Sequence, residues 1–171
     1  CKNVCNRIKS INLQQSKSKF CKKDYCYDEV LLENLEEEIK NIKKDTLIVL
    51  HTMGSHGPTY FKRYPDKFRK FVPTCDTANI SVCSKDEIIN TYDNTILYKD
   101  YIVSSAIDII KKFPNIKSGL LYVSDHGESL GENNIYLHGL PYKIAPDEQK
   151  NVPMILWMSD SMKKYNYIDY K

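Results

Sequence analysis

An aspartate and a histidine stand side by side at Asp125 and His126, directly after an apolar run, and both residue types bind metal ions. The run at residues 119–123 is typical of a short buried strand. The pair is therefore expected where the strand ends and a loop begins, the usual position of a site in an open α/β sheet. A carboxylate oxygen and an imidazole nitrogen are both ligands for Zn²⁺, at roughly 2.0–2.2 Å. Gly127 lets the backbone turn tightly beside such an ion.

Three of the four histidines lie in glycine-flanked loops after or near predicted strands: His56, His126 and His138. A single histidine is more often a surface residue or a hydrogen-bonded structural residue than a ligand. Three of them, together with Asp125, lie on elements that a parallel sheet would bring to one edge. That pattern predicts ligands for one or two Zn²⁺ ions.

Two further residues are candidates for supporting this site. His51 follows a predicted strand and is a candidate extra ligand or a partner of a ligand. Glu128 can orient a ligating histidine by accepting a hydrogen bond from its other ring nitrogen. A carboxylate that faces solvent or caps a turn is an equally good interpretation of Glu128.

Helices and strands with an α/β order are expected to position these side chains. Apolar runs predict strands at residues 46–50, 119–123 and 152–158, and helical periodicity predicts helices at residues 29–43 and 86–113. The order of these elements favours a mostly parallel sheet with helices packed on it. The acidic run in the first helix is interpreted as a solvated face.

Composition narrows the class of partners. A net charge of +3 over 171 residues gives no electrostatic case for nucleic acid as a partner.

The length of the chain suits a single domain. No stretch approaches the ~18 consecutive apolar residues of a membrane span. The chain begins at a cysteine without a leader, and we expect it to be a piece of a longer exported protein.

The six cysteines form three couples that are close in sequence, and local pairing of each couple predicts an oxidising compartment. Reduced buried thiols or a cysteine-rich metal site is the alternative interpretation. Residues 1–28 contain two of the couples and little periodicity, so they are predicted to be a disulfide-stapled loop region. The couples are Cys1 with Cys5, Cys21 with Cys26, and Cys75 with Cys83.

The motifs resemble those of a known family. The chain carries Ser-Asp-His-Gly-Glu-Ser-Leu-Gly-Glu-Asn at residues 124–133, Tyr-Leu-His-Gly-Leu-Pro-Tyr at 136–142, Gly-Ser-His-Gly-Pro-Thr-Tyr at 54–60 and Pro-Thr-Cys-Asp at 73–76. Together they are similar to the catalytic domain of bacterial lipid A phosphoethanolamine transferases. This group of the alkaline phosphatase and sulfatase superfamily includes the enzymes of polymyxin and colistin resistance. The resemblance runs over nearly the whole chain.

The resemblance implies an α/β fold in which a mostly parallel sheet is sandwiched by helices (αβα), incomplete here at its N-terminal side. Residues 1–171 would be the C-terminal portion of one catalytic domain. That domain would be a monomer on the periplasmic face of the inner membrane, anchored through an N-terminal region that these residues do not include.

The implied reaction is zinc-dependent transfer of phosphoethanolamine from phosphatidylethanolamine to a phosphate of lipid A or another periplasmic acceptor. In the family, a covalent phospho-threonine intermediate forms, and one zinc is held by a Glu, the nucleophilic Thr, and the residues matching Asp125 and His126. The positions matching His56 and His138 serve a second zinc or the donor phosphate. Nothing here matches the Thr or the Glu, so this chain alone is expected to bind zinc weakly and not to turn over.

Two other functions remain open from the sequence. A phosphoglycerol transferase or a phosphodiesterase of the same superfamily would share the Asp-His-Gly motif. A secreted, disulfide-stapled zinc-binding module without catalysis would share the ligands and the cysteines.

Overall fold

The computed structural model describes residues 10–13 and 17–165, where helices and short strands alternate with 3₁₀ turns. The α-helices are α1 (Leu35–Lys40), α2 (Lys85–Lys111), α3 (Asp147–Lys150) and α4 (Asp160–Tyr165). The strands are β1 (Gly119–Val123), β2 (Ser129–Leu130), β3 (Tyr136–Leu137) and β4 (Met154–Met158). The 3₁₀ turns are Asp28–Leu32, Tyr60–Lys62, Asp66–Phe68, Ile80–Val82 and Glu132–Asn134.

Helix α2 confirms the long helix that the sequence predicts and supports the loops around it. Its first turn is closed by a capping box, in which the Ser84 side chain accepts from the backbone of Glu87 and the Glu87 carboxylate accepts from the backbone of Ser84. One face of the helix is buried, and it includes polar side chains that hold neighbouring loops. The buried residues are Ile88, Thr91, Asn94, Thr95, Tyr98, Lys99, Ile102 and Ala106.

The helix predicted over residues 29–43 is instead a 3₁₀ turn followed by the short helix α1. The physical reason is at the start of this segment, where Asp28 and Glu29 are buried and bonded to distant groups. Asp28 accepts from the backbone of Met53 and Gly54. The backbone N–H of Glu29 donates to the hydroxyl of Tyr98. These tertiary contacts override the helical periodicity. The acidic residues of α1, Glu36 to Glu38, are exposed as predicted.

Two hydrophobic clusters pack against α2. In the first, Leu35 and Ile39 of α1 lie against Ala106 of α2, with Leu50 and Leu120 at its margin. The second contains Tyr64, Tyr98 and Ile102. Helix α1 and the inner side of β1 are therefore held on the same long helix.

The strand pairs differ from the mostly parallel sheet that the sequence predicts. In the described part of the chain, β1 pairs with β4 and β2 pairs with β3, and both pairs are antiparallel. The predicted strands at residues 119–123 and 152–158 are found, the second beginning at Met154. Residues 46–50 form no strand, and Leu47 and Val49 are 87% and 65% exposed. A strand forms only where a partner completes its hydrogen bonds, and none of the described residues supplies one.

Two of the three predicted disulfides are confirmed, Cys21–Cys26 and Cys75–Cys83. The third, between Cys1 and Cys5, lies outside the described residues. Across residues 10–13 and 17–165, no helix combines the length and the apolar character needed to cross a bilayer.

Candidate metal centre

The structure brings together three of the predicted ligands: His56, His126 and His138. Each offers one ring nitrogen, and these atoms all lie within 4.8 Å of one another. The rings of His126 and His138 are stacked with their centroids 3.8 Å apart, and the ring of His56 is 5.1 Å from that of His138. We call these residues the three-histidine cluster. They come from three loops, of which the His56 loop is far in sequence from the neighbouring loops of His126 and His138.

The loop after β1 presents His126 through contacts that leave no room for a side chain at Gly127. The backbone N–H of Gly127 donates to the carbonyl of Gln149 in α3 at 3.0 Å. A Cβ added to Gly127 would lie 2.0 Å from the carbonyl oxygen of Glu148. The Ser124 hydroxyl donates to the carbonyl of His126 at 2.7 Å. Helix α3 therefore fixes the position of the loop, and only glycine allows that approach.

Two of the three rings are oriented by a hydrogen bond at Nδ1. Nδ1 of His126 lies 2.9 Å from the carbonyl oxygen of Gly127. A carbonyl only accepts, so Nδ1 is the donor, and in the neutral imidazole Nε2 has the lone pair. Nδ1 of His138 lies 2.7 Å from Oε1 of Glu128, which gives the same assignment when the carboxylate accepts. In their neutral forms both histidines thus have Nε2 available for a metal ion, an arrangement typical of metal-binding histidines.

Glu128 is itself buried and bonded on both oxygens. Its residue exposure is 8%, and Oε2 accepts from the hydroxyl of Tyr60 at 2.9 Å. Burial, reinforced by the neighbouring charge of Glu128, raises the pKa of the Tyr60 hydroxyl well above its usual value, so the hydroxyl remains a donor. Of the two interpretations of Glu128, the structure therefore favours the carboxylate that orients a histidine.

The loop that carries His56 is fastened at its start by a buried ion pair. Asp28 accepts from the backbone N–H groups of Met53 at 2.9 Å and Gly54 at 3.1 Å. Nζ of Lys99 on α2 lies 2.7 Å from Oδ2 of Asp28, and each of the two side chains is only 8% exposed. The carboxylate therefore joins the loop to the long helix.

The same loop is fastened again around His56. The Thr95 hydroxyl on α2 and the Ser55 hydroxyl are hydrogen-bonded to each other at 2.6 Å. The guanidinium of Arg63 donates from Nε to the carbonyl of His56 and from Nη2 to the hydroxyl of Thr59. Burial, followed by the charges of His138 and Arg63, lowers the pKa of His56. A neutral imidazole is the form that binds a metal.

Asp125 and His51 are not part of the three-histidine cluster. Oδ1 of Asp125 is 3.8 Å from Nε2 of His126, and its side chain is 88% exposed. His51 is exposed and lies outside the group of converging ligand atoms. The structure therefore places Asp125 next to the cluster, whereas it gives His51 no position among the converging ligands.

The donor set fits a zinc ion. Three imidazole nitrogens are a common protein ligand set for zinc, and such a set leaves a fourth position for a further ligand or a substrate. The fit depends on the convergence of the ring nitrogens and on the two Nδ1 hydrogen bonds. Asp125 is the nearest candidate for an additional oxygen ligand.

Sequence analysis did not identify Tyr60, Arg63, Asp28 or Lys99 as supporting residues. Tyr60 is 68 residues from Glu128, and Lys99 is 71 residues from Asp28. The spacing of residues within a short motif gives no information on contacts between residues that are about 70 positions apart. A buried tyrosine or lysine can be assigned a polar partner only once the fold is known.

The chain is similar to known proteins over almost its whole length. The family model described as Sulfatase matches residues 1–170. Phosphoethanolamine transferase EptA of Escherichia coli K12 is 54% identical over 175 residues, covering 99% of this chain and 31% of that protein. The chain therefore spans about a third of the length of the curated relatives it matches.

Solved structures of phosphoethanolamine transferase domains are also similar to this chain. The soluble domain of lipooligosaccharide phosphoethanolamine transferase A from Neisseria meningitidis matches with a TM-score of 0.94 and 42% identity, over 99% of this chain and 51% of that one. The C-terminal periplasmic domain of EcEptC from Escherichia coli, in complex with Zn, matches with a TM-score of 0.74 and 26% identity, over 94% of this chain and 43% of that one. These matches confirm the predicted sulfatase-like fold class and the resemblance that the motifs indicate.

Proposed function

We propose that this chain, which belongs to the sulfatase family over residues 1–170, forms part of the catalytic domain of a phosphoethanolamine transferase. The observation that carries the proposal is the three-histidine cluster, whose ring nitrogens converge within 4.8 Å. The similarity to the Escherichia coli and Neisseria meningitidis transferases supports phosphoethanolamine as the group that is transferred. The domain would act at the periplasmic face of the inner membrane, as the periplasmic location of the EcEptC domain suggests.

We infer that one or two zinc ions bind at this centre. His56, His126 and His138 would hold the metal, with Asp125 as a nearby oxygen ligand. Zinc supplies Lewis-acid stabilisation of charge on a phosphoryl oxygen when it is bound. The ligand set that we propose for this chain is incomplete without the Thr and Glu that the family resemblance implies, and we expect both to lie outside it.

The chain's own residues have two tasks in this proposal. Glu128 and the carbonyl of Gly127 hold the rings of His138 and His126 with Nε2 available. Asp28, Thr95 and Arg63 keep the His56 loop fixed against α2 and against its own following turn. A fixed array of ring nitrogens needs little reorganisation when charge develops on a transferring phosphoryl group.

We further propose phosphatidylethanolamine as the donor and a phosphate of lipid A as the acceptor. The similar Neisseria meningitidis domain is that of a lipooligosaccharide phosphoethanolamine transferase. Other periplasmic phosphate acceptors would use the same chemistry. The donor and the acceptor are lipids, so the site would work next to a membrane surface.

The test is transfer and zinc binding by the intact protein that carries these residues. Purified protein is assayed for zinc content by mass spectrometry and for phosphoethanolamine transfer from labelled phosphatidylethanolamine to lipid A. We expect His126→Ala to lose most of the bound zinc and the transfer activity. His51→Ala replaces the one histidine outside the cluster, and it is expected to keep both.

The products decide between the proposal and its alternatives. Free phosphoethanolamine released to water, with no modified lipid, would indicate a phosphodiesterase. Zinc bound without release or transfer would indicate a non-catalytic module. A wild-type protein that binds no zinc would contradict the proposed centre.

A further inference from the structure

A buried tyrosine connects the loop of His56 to the ring of His138. Tyr60 is 2% exposed, and its hydroxyl donates to Oε2 of Glu128 at 2.9 Å. The other oxygen of the same carboxylate lies 2.7 Å from Nδ1 of His138. Tyr60, Glu128 and His138 therefore form a continuous chain of two hydrogen bonds that ends at the three-histidine cluster. We call it the Tyr60 relay.

The packing around Tyr60 holds the hydroxyl in one place. Its ring meets the ring of Tyr92 edge to face, with centroids 5.6 Å apart and planes at 90°. A Cβ added to Gly57 would lie 2.6 Å from the Tyr60 hydroxyl oxygen and 2.6 Å from Cδ2 of Leu137. The hydroxyl thus lies where the His56 loop meets Leu137, the last residue of β3. Leu137 directly precedes His138.

The hydroxyl of Tyr60 has a task that the hydroxyl of a neighbouring tyrosine does not have. Tyr64 is also 2% exposed, but its buried hydroxyl makes no well-aligned hydrogen bond among the described residues, and the polar side chain beside it is the neutral amide of Asn94. Burial alone therefore does not explain the bond from Tyr60 to Glu128. A hydrogen bond to a charged group is usually stronger than one between neutral groups.

We propose that Tyr60 is a positioning residue for the metal centre. Its hydroxyl holds the Glu128 carboxylate in the orientation that directs Nε2 of His138 toward His56 and His126. This inference rests on the proposed function, because it assumes that the cluster binds zinc. The hydroxyl of Tyr60 is hydrogen-bonded to Glu128, and Glu128 in turn is bonded to His138. Tyr60 therefore acts on the three-histidine cluster through Glu128.

The test is the zinc dissociation constant of the intact protein, measured by competition with a chelator of known affinity. Tyr60→Phe keeps the ring and removes only the donor. Removing a residue that orients a metal-binding histidine typically weakens metal binding by about 10–100-fold, and we expect a loss toward the lower end because Glu128 stays in place. Tyr64→Phe is the matched control and is expected to bind zinc as the wild type does.

A double-variant comparison separates positioning from general destabilisation. If Tyr60 acts through His138, Tyr60→Phe should cause no further loss of zinc affinity in a His138→Ala background. An equal loss in that background would show a structural role and would overturn the inference. Glu128→Gln keeps the shape of the side chain and tests the same relay if Tyr60→Phe does not fold. It is expected to weaken zinc binding similarly.

The outcomes distinguish this inference from the proposed function. Wild-type zinc affinity in Tyr60→Phe would overturn the relay and leave the transferase proposal standing. A wild-type protein without zinc affinity would overturn both. Weakened binding in Tyr60→Phe, unchanged binding in Tyr64→Phe and no further effect in the His138→Ala background is the expected result.

Discussion

At the scale of single residues, Gly127 is the glycine at which an added Cβ would come closest to a neighbouring atom. Any Cβ at this position would lie 2.0 Å from the carbonyl oxygen of Glu148, a backbone atom that cannot turn away. We expect Gly127→Ala to displace the loop, to lower the free energy of unfolding by at least about 1–3 kcal/mol, and to weaken zinc binding. Zinc binding is affected because the carbonyl of Gly127 accepts from Nδ1 of His126.

Thermal unfolding and zinc content measure both effects in the intact protein. Gly119→Ala is the matched control, since the nearest atom to a Cβ added there is the carbonyl oxygen of Trp157 at 3.5 Å, an ordinary contact. The control is expected to differ little from the wild type. Equal stability and equal zinc content in Gly127→Ala would contradict the close approach of α3 to the loop.

The residues of the centre were predictable where sequence spacing carries the signal. Glycine-flanked histidines after apolar runs predicted His56, His126 and His138, and the structure brings their nitrogens together. The same logic also selected His51, which is exposed outside the cluster. Local sequence cannot distinguish a loop residue that turns toward the site from one that turns to solvent. That choice depends on long-range bonds such as the one between the hydroxyls of Thr95 and Ser55, which are 40 residues apart.

At the scale of elements, α2 supports the His56 loop, and Lys99 attaches the loop to the helix through Asp28. Lys99 and Asp28 are buried, and Asp28 also accepts from the backbone of Met53 and Gly54. Lys99→Met would leave a buried carboxylate without its cation. Breaking a buried pair in this way costs about 3–5 kcal/mol, and we expect the lower end because the two backbone N–H groups remain.

Urea unfolding of the intact protein measures this cost. Lys111→Met is the matched control on the same helix, because the Lys111 and Asp108 side chains are 58% and 71% exposed. An exposed pair contributes about 0–1 kcal/mol, so the control should be nearly neutral. If the two variants lost the same free energy of unfolding, the attachment of the loop through Asp28 would be refuted.

Elements stabilised by contacts between residues close in sequence were predicted correctly, whereas elements shaped by contacts with distant residues were not. Helix α2 was predictable because its apolar periodicity is a local signal, and the capping box at Ser84 that closes its first turn is local as well. The helix over residues 29–43 was predicted too long, since the buried bonds of Asp28 and Glu29 are made with distant residues. The strand at residues 46–50 was predicted from its apolar pattern, but pattern alone cannot supply a hydrogen-bonding neighbour.

At the scale of the whole molecule, one face of the β1 and β4 pair is apolar and uncovered by the described residues. Leu121 lies opposite Leu156, and Val123 lies opposite Met154. All four side chains are 51–71% exposed, whereas Leu120 on the other face packs against the core around α2. We call these four residues the outer sheet face. A contiguous apolar face of this kind is typical of an interface.

The likeness to a larger solved domain suggests what covers this face. The chain matches 51% of the Neisseria meningitidis domain with a TM-score of 0.94, so about half of that domain has no counterpart here. An αβα fold carries helices on both sides of its sheet. We therefore expect the outer sheet face to be covered by polypeptide of the same domain outside residues 1–171.

This expectation gives a prediction for residues 1–171 produced alone. With the outer sheet face open, the fragment should self-associate in gel filtration and bind a hydrophobic dye, because burying apolar area stabilises by about 25 cal/mol per Å². Leu121→Lys combined with Leu156→Lys should reduce both signals. Ile144→Lys changes a residue that is 68% exposed away from the sheet, and it should leave them unchanged. A monomeric wild-type fragment without dye binding would mean that the face needs no cover. In the intact protein the same double substitution should lower the free energy of unfolding. The reason is that it would place two charges in a buried interface.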